Sequence, residues 1–359
     1  MRKGKILVIS THLDGGCFHY SNEIISYFPK SEVEIVMPDI QCEPCNIKPN
    51  WTIKYYKHSH LIKLISFIYS LVRILTGALT GKYSSMILFS ISPWDYYFLK
   101  LWKLVGKPSY VVIHDGKMHV GEVDKKFQNH IIQMMRWTTH LIFLSEYVRN
   151  LVHDNFGIDK PYLIAPHGLI DYGNQRKTAR IEEKPNLLFL GRVSKYKGVD
   201  LLLSAIDKVP SNLYSKLVIA GKWNYKNVIQ YNKEKVEIID KWLSDQDILN
   251  CISECDIMIF PYLEATQSGV ATLAINYLKP SVVTRVGAFA EQFDEDSVVF
   301  TEPQVEKLAN AISNLLENPS KIQQMKQSLV TLRAKYSWKQ ISTDLYESIR
   351  NNNGINTVL

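Results

Sequence analysis

Cysteine is scarce in this sequence and odd in number. The five residues, Cys17, Cys42, Cys45, Cys251 and Cys255, include one Cys-x-x-Cys at 42 and 45 and no second one to complete a four-thiolate site. That spacing alone falls short of a zinc centre, and an odd set is no disulfide framework. No leader of signal-peptide type precedes the first strand-like run, because Lys5-Ile6-Leu7-Val8-Ile9-Ser10 begins almost at once. The expectation is a reduced, cytoplasmic protein. A strong charge of one sign is also lacking. The formal net charge is +7, with +5 on residues 1–173 and +2 on the remainder. So small an excess argues against a nucleic-acid partner, whereas an anionic membrane surface or a phosphorylated substrate suits it.

Nor is there a long apolar run free of charge. The most apolar stretch, His60 to Leu79, carries Lys63 and Arg73, and charge near a bilayer centre is costly, which argues against a span. Three placements stay open: a buried core helix, an amphipathic helix lying on a membrane face, or a helix lining an acceptor groove. Tyr55, Tyr56, Lys57, Phe67, Tyr69, Arg73 and Tyr83 interleave aromatics with cations around it and keep the interfacial placement in view.

What is present is the composition of an ordinary globular protein, 46% hydrophobic and 21% charged over 359 residues, enough for two cored domains. Short apolar runs alternate with helical patterns on both sides of a polar stretch from Tyr172 to Pro185, which reads as a linker. In the first half, strands are expected at Ile6–Ile9, Val33–Pro38, Ser85–Ser90, Tyr110–Ile113 and His140–Leu144, with a Pro- and Cys-containing loop up to about Lys57. Gly15-Gly16 reads as a turn before a helix from Phe18 to Phe28, letting a ligand approach the backbone as readily as making an ordinary turn. The second half repeats the alternation, which implies two doubly wound α/β domains.

The stretch that organises the chain is Leu187 to Asp200. Leu187–Leu190 is a buried-strand run stopped by Gly191; Arg192, Lys195, Lys197 and Gly198 follow, and a helical pattern opens at Val199. A strand feeding a glycine loop and then a helix is the entry to an α/β nucleotide site, where helix N–H groups and cations meet adjacent phosphates. The same residues also fit a solvated basic loop. After the strand at Tyr110–Ile113 come His114, Asp115, His119 and Glu122, at the strand end where such sheets place function.

Taken with Ala220-Gly221-Lys222, Cys255-Asp256-Ile257-Met258-Ile259-Phe260-Pro261-Tyr262, Gly269 and Lys279-Pro280-Ser281-Val282-Val283-Thr284, these residues resemble the retaining GT-B glycosyltransferases of family 4. The likeness is strongest from 187 to 300, looser over His114-Asp115 and Pro166-His167-Gly168, and includes the closing Tyr336-Ser337-Trp338 helix. It implies two Rossmann-like domains facing a central cleft: 1–172 for the acceptor and 173–336 for the nucleotide-sugar donor, with 337–359 crossing back to the first. One departure stands out. Of the family's two glutamates eight apart, the second falls at Leu273 and the first near Glu264 or Ala265, while the loop reads Gln267-Ser268-Gly269 as in a subgroup.

The resemblance implies metal-independent transfer of a sugar from a nucleotide-diphosphate sugar, with no other cofactor, to a lipid-linked or oligosaccharide acceptor. The setting it implies is bacterial capsule, O-antigen or exopolysaccharide assembly on the inner face of the cytoplasmic membrane. Arg192 and Lys197 would hold the diphosphate and His114 the donor sugar. Gly16, Gly221, Glu264, Gln267, Ser268, Gly269 and Val270 would complete the donor site, and Asp115, His119 and Glu122 would serve the acceptor. Helix capping by Ser268, a local tie between His114 and Asp115, and a hinge role for His167 are the plainer readings of those side chains. The rival functions are a non-catalytic scaffold of the same fold and a nucleotide-sugar epimerase.

Overall fold

A computed structural model describes residues 4–117, 124–173, 184–226, 229–351 and 357–358. Among these, the chain forms two units, one reaching Gly168 and taking up the chain again from Trp338, the other covering Leu169–Ser337.

The first unit is built on β1 (Lys5–Ile9), α1 (Gly15–Ser26), β2 (Val33–Pro38), β3 (Trp51–Ile53), α2 (His60–Leu79) and β4 (Tyr83–Leu88). There follow α3 (Pro93–Val105), β5 (Ser109–Ile113), α4 (Lys125–Trp137), β6 (His140–Phe143), α5 (Glu146–Phe156) and β7 (Tyr162–Ile164). Strands such as Ile6-Leu7-Val8-Ile9 and Val111-Val112-Ile113 are buried throughout, as parallel strands covered on both faces must be. Two serines cap helices of this unit: the Ser145 hydroxyl accepts the Val148 N–H, and Ser92 and Asp95 form a capping box that opens α3.

The second unit runs β8 (Leu187–Leu190), α6 (Val199–Ile206), β9 (Leu217–Ala220), β10 (Val236–Ile239), α7 (Asp245–Glu254) and β11 (Ile257–Phe260). It closes with α8 (Gly269–Asn276), β12 (Ser281–Thr284), α9 (Phe289–Gln292), β13 (Val298–Thr301), α10 (Val305–Leu316) and α11 (Pro319–Ala334). The last helix, α12 (Trp338–Asn351), packs on α1 of the first unit, where the Ser342 hydroxyl donates to the Ile24 carbonyl at 2.6 Å, and β14 (Thr357–Val358) pairs with β7. Gly168 is bare because a Cβ there would meet the Trp338 ring at 2.4 Å.

Both sheets are parallel, in the orders β14-β7-β6-β5-β4-β1-β2-β3 and β10-β9-β8-β11-β12-β13. The order reverses between β1 and β4 in the first and between β8 and β11 in the second, and at such switch points the loops diverge to leave a ligand-sized crevice.

The structure departs from the expectations in places. Gly15 and Gly16 belong to the first turn of α1 rather than preceding it. The loop expected between residues 38 and 57 contains β3, too short for its alternation to show, held parallel to β2. The core placement of residues 60–79 is overturned. Only Ser70, Ile74, Gly77 and Ala78 of α2 are buried, while Leu61, Ile65, Ile68 and Val72 form a solvent-facing stripe, each more than half exposed. The segment is apolar on the side away from the core as well as toward it, so periodicity alone could not place it.

Candidate functional site

In the second unit the site is built around β8. Its strand ends at Gly191, whose N–H donates to the Ala220 carbonyl at 2.9 Å, and β9 ends at Gly221, whose N–H donates to the Ile239 carbonyl at 2.9 Å. Gly221 is required by contact: at its φ of +146° a Cβ would lie 2.1 Å from the Gly191 carbonyl oxygen. At Gly198 (φ +67°) one would lie 1.9 Å from the Pro261 carbonyl oxygen. Backbone from β8, β9 and β11 is thus drawn together at the carboxyl edge of the sheet.

Between Gly191 and Gly198 the chain makes a single 3₁₀ turn, Lys195–Lys197. That turn sends the side chain of Lys197 back over the strand end. Its Nζ lies 5.2 Å from the centre of the Tyr262 ring and 3.3 Å from where a Gly191 Cβ would stand. Val270, in the first turn of α8, is the other neighbour of that position, at 3.1 Å. The strand end, the Lys197 ammonium and the N-terminus of α8 therefore meet at one point. Arg192 and Lys195 are exposed beside it. Lys222 is committed elsewhere, in an ion pair with Asp240 at 3.0 Å; the Trp223 N–H and that lysine together hold the Asp240 carboxyl below its usual range.

Helix α8 starts at Gly269 with Ser268 as its cap. The Ser268 hydroxyl accepts the Ala271 N–H and lies 3.4 Å from the Tyr262 hydroxyl, so its side chain is used for capping. The backbone of Ser268 is clamped by one residue that the sequence did not single out. Gln292 accepts the Ser268 N–H at 3.0 Å and donates to the Ser268 carbonyl at 3.3 Å. Nothing within the local sequence of either residue signals this pair, 24 positions apart. The clamp fixes the direction in which the first N–H groups of α8 point. Glu264 is half-buried, with its N–H on the Tyr196 carbonyl, and Gln267 is half-buried nearby in the chain. Leu273 is buried in the core, as an aliphatic side chain should be.

In the first unit the candidate residues gather at the carboxyl ends of β1 and β5. His114, directly after β5, contacts the edges of the Tyr20 and His12 rings at centroid distances of 5.0 and 6.3 Å. Its Nε2 is buried and makes no hydrogen bond among the described residues. Burial pushes its pKa down to about 3; the neighbouring His12 and His167 push the same way, and Asp115 opposes them. The ring is therefore neutral at working pH, with a nitrogen left to offer.

His167 is buried too, and burial lowers it to about 4; its Nδ1 donates to the Gly168 carbonyl at 2.7 Å, and its ring packs on Trp338 at 5.0 Å. Asp115 is exposed beside His114. Apart from its chain neighbours and its own helix backbone, Gly16 has no described atom within 4 Å of where a Cβ would stand. His119 and Glu122 lie outside the described residues. The sequence reading missed His12 and Cys17, which the structure sets beside His114; their place just after the first strand was the available signal.

Comparison with known proteins fits this geometry. Residues 172–329 match the family model described as glycosyl transferases group 1. An uncharacterized 41.2 kDa protein in the cps region of Klebsiella pneumoniae is 24% identical over 203 residues, 53% of this chain and 56% of that protein. The chain thus spans about half the length of the curated relative it matches. Among solved structures, sucrose-phosphate synthase from Thermosynechococcus elongatus superposes with a TM-score of 0.73 at 14% identity, covering 98% of this chain and 99% of that one. Anabaena HepE in complex with UDP gives a TM-score of 0.70 at 14% identity, over 97% of this chain and 100% of that one. The chain has the GT-B fold, two parallel-sheet Rossmann-like domains.

Proposed function

We propose that this chain is a retaining glycosyltransferase of family 4 type that uses a nucleotide-diphosphate sugar. The observation that carries the reading is the meeting of the β8 strand end, Lys197 and the α8 N-terminus at the switch point of a domain matching the group 1 transferases. A diphosphate needs a cation and unspent N–H donors, with no Cβ in the way. As the bond from the anomeric carbon to the diphosphate breaks, Lys197 and Arg192 take up the charge developing on the leaving oxygen, and α8 adds its dipole. The acceptor oxygen bonds to the anomeric carbon, and its proton passes to the leaving phosphate. In this reading no metal is required. His114, neutral and with Nε2 available, is assigned to a hydroxyl of the donor sugar; Asp115 is assigned to the acceptor. Within the second unit the backbones of Gly221, Gly269 and Val270 are assigned to the diphosphate, and Glu264 and Gln267 to the sugar and ribose. Ser268 sets the direction of the α8 N-terminus: its hydroxyl caps the helix and Gln292 holds its backbone.

UDP is the first nucleotide to test, since HepE binds it on the same fold. The acceptor assigned here is lipid-linked, in surface-polysaccharide assembly, which suits the cps-region relative. The supporting feature is α2, long and apolar enough to cross a membrane yet tied flat to its domain. Arg73 pairs with the buried Glu34 at 3.2 Å, the Ser66 hydroxyl accepts the Lys54 N–H at 2.9 Å, and Phe67 stacks on Phe98. Its exposed stripe, with Lys54, Lys57 and Lys63 at hand, suits an anionic inner-leaflet surface, a peripheral site on the cytoplasmic side.

The deciding experiment is a thermal-shift screen of UDP, GDP, ADP, CMP and their sugars without metal. A ligand at a hundredfold excess over its dissociation constant adds about 2.7 kcal/mol. One diphosphate nucleotide should stabilise the chain and lose that effect in Lys197→Ala. No response to any of them overturns the reading in favour of a scaffold.

A further inference from the structure

The first unit brings together one donor atom each from His12, Cys17 and His114, all within 4.8 Å of one another. They come from three places that the sheet aligns: the end of β1, the first turn of α1 and the end of β5. His12 donates through Nε2 to the Phe89 carbonyl at 3.1 Å, which leaves the lone pair on Nδ1. A backbone carbonyl behind a histidine is the outer contact that orients a metal-binding imidazole. The Nε2 of His114 is buried without a hydrogen-bond partner among the described residues.

We propose that His12, Cys17 and His114 form a binding site for a borderline-soft divalent cation, Zn²⁺ in the first place, with a fourth position open to solvent or ligand. Two imidazoles and a thiolate suit Zn²⁺ rather than Mg²⁺, whose ligands are oxygens. Tetrahedral bonds of about 2.0–2.3 Å place ligand atoms roughly 3.3–3.7 Å apart, so the observed spacing closes by no more than about 1.5 Å of side-chain movement. The cysteine proton leaves as the metal binds. A metal here would occupy the Nε2 assigned above to the donor sugar, so Zn²⁺ should inhibit transfer. That consequence rests on the proposed role of His114; the binding itself does not.

The test uses the full chain stripped of metal and titrated with Co²⁺. One equivalent should bind with a thiolate-to-cobalt charge-transfer absorption and tetrahedral visible bands, and Zn²⁺ should bleach both. Losing an outer-shell contact weakens metal sites about 10–100-fold, so Cys17→Ser, which removes a ligand, should cost at least about 100-fold and remove the charge-transfer band. His12→Gln should also weaken binding, which keeps the test alive if Cys17→Ser does not fold. No stoichiometric binding, or a band that survives Cys17→Ser, overturns the proposal. Binding at one equivalent without loss of transfer would support the site and overturn the role of His114.

Discussion

Replacing Lys197 by methionine keeps the aliphatic stem over Tyr262 and removes only the charge. In the ligand-free protein the change removes a cation–π contact. The ammonium sits 5.2 Å from the Tyr262 ring centre, a cation–π contact of about 0.5–1 kcal/mol at a partly exposed site. In the proposed placement of the diphosphate, the same ammonium would face a phosphate oxygen at the strand end. Two unit charges about 4 Å apart are worth roughly 4 kcal/mol at an effective dielectric constant of 20. Desolvating the lysine offsets part of this, leaving the ~1.5–3 kcal/mol usual for a hydrogen bond to a charged group. The dissociation constant for UDP should therefore rise by about 10- to 150-fold. Calorimetric titration measures it, and urea unfolding of the unliganded variant measures the small term separately. Raising the salt concentration should weaken UDP binding to the wild type more than to the variant, because one fewer charge is in play. A folded Lys197→Met protein that binds UDP as tightly as the wild type refutes the placement of the diphosphate at Lys197.

Two further outcomes follow from the first unit. His114 and His167 carry pKa values lowered by burial to about 3 and 4, whereas in the unfolded chain they titrate near the usual 6.5. Between these values the unfolded state binds more protons, so stability is complete above the unfolded value and falls with pH below it. At pH 5 each histidine should cost about 2 kcal/mol relative to pH 7. The buried Asp95 carboxyl, raised to about 6 by burial, works in the opposite direction and restores about 1.4 kcal/mol over the same window. The urea midpoint should thus drop from pH 7 to pH 5 and drop less in His167→Gln; an unchanged midpoint contradicts the buried neutral histidines. For α2, charge reversal at Lys54, Lys57 and Lys63 should cut partitioning onto anionic vesicles by about 1 kcal/mol per lysine near the surface. Ile65→Glu with Ile68→Glu should lower it on neutral vesicles as well, and unchanged sedimentation with either set removes the membrane assignment.

Much of the fold was legible in the sequence because parallel strands buried on both faces must be runs such as Leu187–Leu190 and Ile257–Phe260. Strand–helix alternation then leaves few topologies, and the basic glycine loop at 191–198 stood out because sharp turns and cations leave a local mark. What the sequence could not determine depends on atoms far apart along the chain. The Gln292 clamp on Ser268, the collision that makes Gly221 obligatory, and the union of His12, Cys17 and His114 exist only after the sheets assemble. Residues 60–79 show the same limit from the other side. Their composition marks them as apolar, but only packing decides which apolar side chains meet the core, and the structure leaves Leu61, Ile65, Ile68 and Val72 in solvent because α2 presents its other face to β4 and α3.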